Sequence, residues 1–184
     1  MNRLFLIAIT FFLFASCKKE NDKNTIDTSG GTYFSITQFA MDQFRTFGGQ
    51  PYSLQKVVTL NGKVDSSFES ALTMDWAAVI KPFLESDISD KKYLDQYNFS
   101  MFEDNATDTR NFFYESKDPK LFTKKLQISS DAINNKIQSI YIETEKNGKV
   151  QKLFYAPVKL IQIQEFESSL LGKDKDLKVE YYFM

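Results

Sequence analysis

The chain has 184 residues, 23 of them basic and 24 acidic, so it is close to neutral and lacks the basic stripe of a nucleic-acid footprint. It has no histidine and a single cysteine, Cys17. That composition removes Ser-His-Asp and Cys-His catalysis, histidine-ligated zinc, thiolate metal sites and any disulfide within the chain.

Met1-Asn2-Arg3 is a short basic start, and Leu4 to Phe14 is an uncharged apolar run ending at the small pair Ala15-Ser16 before Cys17. This order is a signal-peptide pattern, and the run is well short of the roughly 20 residues that cross a bilayer. Phe14-Ala15-Ser16-Cys17 resembles the lipobox of bacterial lipoproteins, with Phe14 where an aliphatic residue is usual. The resemblance covers only residues 1–17. It implies removal of residues 1–16 and diacylation of Cys17, the lipidation site, which becomes the new N-terminus. Acylation also gives a lone cysteine in an exported chain a use, and more than one acyl chain is needed for stable anchoring.

Residues 17–31 comprise the lipidated Cys17 and a polar stretch, Lys18 to Gly31, that reads as a tether. In the lipoproteins this chain resembles, Asp after the cysteine favours the inner membrane. Lys18 stands there, which points to the outer membrane. The remainder, 32–184, reads as one domain of about 150 residues stabilised by packing alone. The 18 Phe and 9 Tyr read chiefly as core, the alternative being sugar-stacking or membrane-facing surface.

Ser35 to Phe47 places Ile36, Phe39, Ala40, Phe44 and Phe47 at helical spacing. Ser35 with Gln38 forms a capping box, Phe34 staples onto Phe39, and Gly48-Gly49 supplies a stop. Gln55–Leu60 and Lys63–Phe68 flank Asn61-Gly62, which predicts a hairpin. Ala71 to Leu84 predicts a second helix, with Leu72, Trp76, Val79, Ile80, Phe83 and Leu84 on its apolar stripe and a kink or restart at Pro82.

Residues 86–95 read as loop, and Gln96–Glu103 and Arg110–Glu115 read as strands. Asp118-Pro119 marks a turn. From Phe122 to Ser129 the pattern alternates, with Phe122, Lys124, Leu126 and Ile128 on one side. Ile137–Lys146 and Lys149–Ala156 flank Asn147-Gly148. A two-residue loop there pairs Ile142 with Leu153, Ile140 with Tyr155 and Glu143 with Lys152. Pro157 ends the pairing, Val158–Phe166 predicts a strand with a bulge at Leu160-Ile161, and Leu177–Phe183 predicts the strand that closes the sheet. The fold class is α+β: an antiparallel β-sheet with two N-terminal helices packed on one face.

Candidate chemistry is sparse. No nucleotide-cradling glycine motif occurs. Ser-x-x-Lys occurs at Ser53–Lys56 and at Ser89–Lys92 without the companion motifs of serine-lysine enzymes. Glu103, Asp104, Asn105 and Asp108 offer oxygen ligands in one loop, but not in the order of a calcium-binding hand, so no metal site or cofactor is assigned. Trp76 reads as core rather than as a ligand-stacking wall. The sequence therefore predicts a non-enzymatic envelope lipoprotein, held on a membrane by its lipid and binding a protein, glycan or lipid partner but no nucleic acid. The alternative is an envelope hydrolase built on carboxylates or serine-lysine, which two carboxylates about 5 to 9.5 Å apart across a cleft would favour. In overall style the chain resembles small uncharacterised envelope lipoproteins, a resemblance that implies no activity.

Overall fold

The computed structural model describes residues 33–168 and 174–184. Residues 1–32, on which the expected leader, the expected lipidation site Cys17 and the expected tether fall, lie outside the described residues.

Helix α1 is Ile36–Phe47. Ser35 caps it, its Oγ accepting the Gln38 amide at 3.2 Å, and the Phe34 and Phe39 rings lie 6.0 Å apart as the staple requires. The stop differs from the usual left-handed glycine end: Gly48 has φ −63°. Glycine is needed there for room, because a Cβ would sit 2.8 Å from the Phe44 carbonyl oxygen and 2.9 Å from its ring.

Helix α2 is Trp76–Glu85, five residues later in starting than the pattern predicts. Asp75 is the reason: its carboxylate accepts the Ala78 amide at 3.0 Å and fixes the first turn, which leaves Leu72 off the helix and exposed. The helix neither ends nor restarts at Pro82 but continues to Glu85. Only one helical bond loses its donor.

The described residues form nine antiparallel strands, the first two between the helices and the rest after α2: β1 Ser53–Leu60, β2 Lys63–Ser70, β3 Tyr97–Asp104, β4 Thr109–Ser116, β5 Thr123–Asp131, β6 Ile137–Lys146, β7 Lys149–Ala156, β8 Leu160–Glu167 and β9 Lys175–Phe183. Both Asn-Gly hairpins form. Asn61 and Gly62 have φ 49° and 80°, Asn147 and Gly148 have φ 54° and 77°, the positive pair of a type I′ turn. The register across β6 and β7 is the one the side chains predict: Ile142 faces Leu153, Ile140 faces Tyr155 and Glu143 faces Lys152.

Two strands depart from expectation. In β5 the register shifts between Thr123 and Lys125, so Thr123 rather than Lys124 takes the buried side, opposite Thr144. A bulge spares the lysine: the Thr123 hydroxyl donates to the Ser86 carbonyl at 2.9 Å while Lys124 turns outward to the Pro119 carbonyl. In β8 the bulge expected at Leu160-Ile161 is absent, and β7 and β8 pair without a break from Ala156–Leu160 to Lys149–Glu167. The phase slip is absorbed before the strand, where Val158 adopts φ 55°.

The sheet order is β2-β1-β9-β8-β7-β6-β5-β4-β3. From β3 to β9 the chain runs as a meander, and β1 and β2 then attach beyond β9. The last strand therefore does not close an edge, as the sequence suggested, but lies inside the sheet. Val58 faces Val179 and Leu54 faces Phe183 across that seam. Along the central strands one parity is buried: Tyr114 and Phe112, Leu126 and Ile128, Ile140 and Ile142, Leu153 and Tyr155, Ile161, Tyr181. The Tyr155 ring meets Phe39 of α1 at 5.5 Å and Phe83 of α2 at 6.1 Å, and its hydroxyl donates to Gln43 at 3.0 Å. The described part is thus a sheet-dominated α+β fold.

Candidate binding surfaces

The candidate residues of the sequence are not brought together. Cys17 lies outside the described residues. Ser53 and Lys56 are three apart on a strand, so their side chains point to opposite faces. Lys56 instead lies 2.9 Å from Glu69 and 5.6 Å from the Tyr181 ring centre. Its hydrogen bond to Glu69 outweighs partial burial and raises its pKa, which favours the protonated amine. In the second pair the Ser89 amide is held by Asp87, and the Lys92 ammonium lies 3.5 Å from Asp90 and 4.9 Å from the Tyr93 ring centre.

The acidic loop is occupied with its own geometry. Asp104 accepts the Ala106 amide and the Thr107 hydroxyl, both at 2.9 Å, and Glu103 pairs with Arg110 at 2.6 Å. Among the described residues no three or more of His, Cys, Asp and Glu are grouped to hold a metal ion. Trp76 is buried, its indole N–H donating to the Ala71 carbonyl at 2.8 Å, as a core tryptophan requires.

Among the described residues five carboxylates have shifted pKa values, and all five are lowered. Backbone amides of Lys92, Ala106 and Asn134 hold down Asp90, Asp104 and Asp131 respectively. In Asp87 and Glu165 burial pushes upward but is outweighed, by bonds from Thr37 and Ser89 in the first and from Lys149 and Gln151 in the second. General acids need the opposite shift. The strongly raised groups are phenols: burial pushes Tyr114 and Tyr141 up to about 12.

Three kinds of surface remain. Between the helices and the sheet, the space bounded by Phe39, Trp76, Phe83 and Tyr155 has a volume of about 10 Å³, room for one water at most. At the end of α2 lies an open groove of about 890 Å³, formed by the segment before β5 and the β6–β7 hairpin. Lys120, Lys124, Lys146 and Lys149 line it with Glu85, Glu145 and Glu167. Part of that charge is spent internally, Lys124 lying 3.9 Å from Glu145 and Lys149 2.8 Å from Glu165. No local pattern marks this groove, because its walls come from separate stretches of chain that meet only through the β5–β6 register.

The third surface is formed by the other parity of the strands. Val64, Phe68, Phe102, Phe166 and Tyr182 are exposed on it, and Phe113, Tyr141 and Phe154 are half-buried beside Glu143 and Lys152. Phe102 and Phe113 stack with ring centres 5.5 Å apart and planes 11° apart. Most of the described Phe and Tyr residues lie in the core or pack against it, as the sequence reading expects, and this face carries the remainder. No protein-family model matches the chain, and neither the curated proteins nor the solved structures give a match.

Proposed function

We propose that this chain is an exported lipoprotein, acylated on Cys17 and held on a membrane by a polar tether, whose β-rich part is a non-enzymatic binding module. The observation that carries the reading is the order of residues 1–17: a basic start, an apolar run too short to span, a small pair and then the only cysteine. Lys18 favours the outer membrane in a cell that has one. Among the described residues no helix is long and apolar enough to cross a membrane.

The binding-module half draws on the arrangement of faces. The two helices cover one face of the sheet through Phe39, Phe83 and their contacts on Tyr155, and the opposite face keeps its aromatic rings toward solvent. A partner with apolar or ring-shaped surface, whether protein, glycan or lipid, fits such a face. Downward-shifted carboxylates and a protonated Lys56 weigh against the hydrolase alternative.

The test is metabolic labelling with a radioactive fatty acid. Wild-type chain takes up label and fractionates with membranes, whereas Cys17→Ser loses both, or accumulates as an uncleaved precursor. Label retained by Cys17→Ser overturns the lipoprotein reading. Turnover of a glycan, ester or peptide by the purified chain, lost on replacing one carboxylate or serine, overturns the non-enzymatic one.

A further inference from the structure

Among the described residues the sheet ends at β2 and β3, each with one side unpaired. The two edges differ chemically. β2 exposes Lys63 and Asp65 and ends beside Glu69, and charges along an edge discourage another strand from adding. β3 runs Tyr97-Asn98-Phe99-Ser100-Met101-Phe102 before its first charge at Glu103, with no proline or glycine. Phe99, Met101 and Phe102 are 54%, 49% and 52% exposed. An uncharged edge rich in large apolar side chains is a template for strand addition.

The apolar core also runs out to this edge. Phe99 and Met101 face Tyr114 and Phe112 in the β3–β4 ladder, and the Phe99 ring lies 5.0 Å from that of Tyr114. No polar side chain closes the row there. A further strand placing apolar residues beside Phe99 and Met101 would extend the core by one layer.

We propose that β3 pairs antiparallel with β3 of a second copy of this chain, about a two-fold axis through Ser100. In that register Phe99 of each copy faces Met101 of the other, Asn98 faces Phe102, Ser100 faces Ser100 and Tyr97 faces Glu103. Phe99 and Met101 gain apolar partners on their own face of the sheet, and no like charges are opposed. A slip of two residues one way sets Glu103 against Phe99, and the other way sets Phe99 against Phe99 and Tyr97 against Met101, which takes the two Ser100 residues out of line, so that a Ser100 cross-link separates the registers. Pairing of β2 with β3 is heterologous and grows an open filament, whereas the two-fold pair closes on itself.

The start of the described chain favours a second copy over a free peptide. The Tyr33 ring packs at 6.1 Å on Tyr97 of β3 and at 5.2 Å on Tyr114 of β4, so the chain arrives at this same edge. On the proposed reading the polar stretch Lys18 to Gly31 joins the lipid anchor to the chain that arrives at this edge. This step rests on the anchored reading above: lipid-held copies share one plane and present β3 near it. One strand pair is small beside the roughly 1,200 Å² or more of a stable interface, so confinement on the membrane is what populates it.

The test is oxidative cross-linking of the full chain in membranes, with fatty-acid label read on the same samples. Opposed Cα atoms in an antiparallel pair lie about 4.5–5.5 Å apart, within reach of a disulfide. Ser100→Cys yields a disulfide-linked dimer, while the parent chain and Ser66→Cys, on exposed β2, stay monomeric. Adding Met101→Lys to Ser100→Cys lowers the dimer at least tenfold. The pairing is overturned by no dimer from Ser100→Cys, by equal dimer from Ser66→Cys, or by Ser66–Ser100 cross-links in a mixture of the two cysteine variants. The label reports the anchor separately, so a dimer without label upholds the pairing and removes only the lipid.

Discussion

Asp87, in the segment after α2, accepts the Ser35 hydroxyl and the Thr37 amide, both at 3.0 Å, and so holds the N-terminus of α1 from about 50 residues away. A carboxylate at that position satisfies a donor the helix itself leaves open and sits at the positive end of the helix dipole. It also ties α1 to the segment leaving α2, beside the fully buried Ser86 and Ile88.

Asp87→Ala is therefore expected to destabilise the protein by about 1–2 kcal/mol, allowing for the solvent that reaches a half-buried carboxylate. The sign with pH follows from the lowered pKa: the contribution is complete above the ordinary carboxylate value and is lost as pH falls through the folded value. Thermal melts of wild type and Asp87→Ala should differ at pH 6 and converge in strong acid. A gap of equal size at both pH values refutes the assignment.

Val158 sits at φ 55° in the turn between β7 and β8, where a β-branched side chain is strained, and its side chain is half exposed. Val158→Asn keeps the turn with a residue that tolerates this backbone and gives up little packing. Stabilisation of about 1 kcal/mol is expected, or a rise in Tm of about 2–4 °C. A lowered Tm in calorimetry counts against strain at this position.

Gly148, at φ 77° in the β6–β7 turn, has no neighbour within 4 Å of an added Cβ, so only backbone conformation opposes substitution. Gly49 is equally open and has no positive φ. Gly148→Val is expected to cost about 1–2 kcal/mol more than Gly49→Val, measured by denaturant unfolding. Equal costs would remove the type I′ turn.

Leu153 and Phe154 are adjacent on β7 but face opposite sides, the first fully buried and the second half-buried beside Tyr141. Leu153→Ala should cost about 2–5 kcal/mol through lost burial and the cavity left behind. Phe154→Ala removes more atoms but should cost less than half as much. Similar losses for the two would mean that the outer face is also covered.

The local features were legible because their causes are local. Asn-Gly pairs impose a type I′ turn wherever two strands flank them, and alternation then sets which side chains meet, so the β6–β7 register follows from residues 137–156 alone. Ser35 and Phe34 mark the start of α1 in the same way. The seam between β1 and β9 joins residues more than 110 apart, and no local pattern says that β9 is interior or that β2 and β3 are left as edges. Thr123 shows the reason at the scale of one residue: alternation favours Lys124 for the inside, but desolvating an ammonium costs more than a bulge, and only the packed sheet sets that balance. Asp87 shows it again, being an ordinary loop aspartate until folding brings α1 to it. The sequence by itself determined the two Asn-Gly hairpins and the start of α1, because each is written in neighbouring residues. The order of the strands, the groove at the end of α2 and the aromatic edge at Phe99 were decided by the tertiary structure, since each depends on which distant surfaces burial brings together.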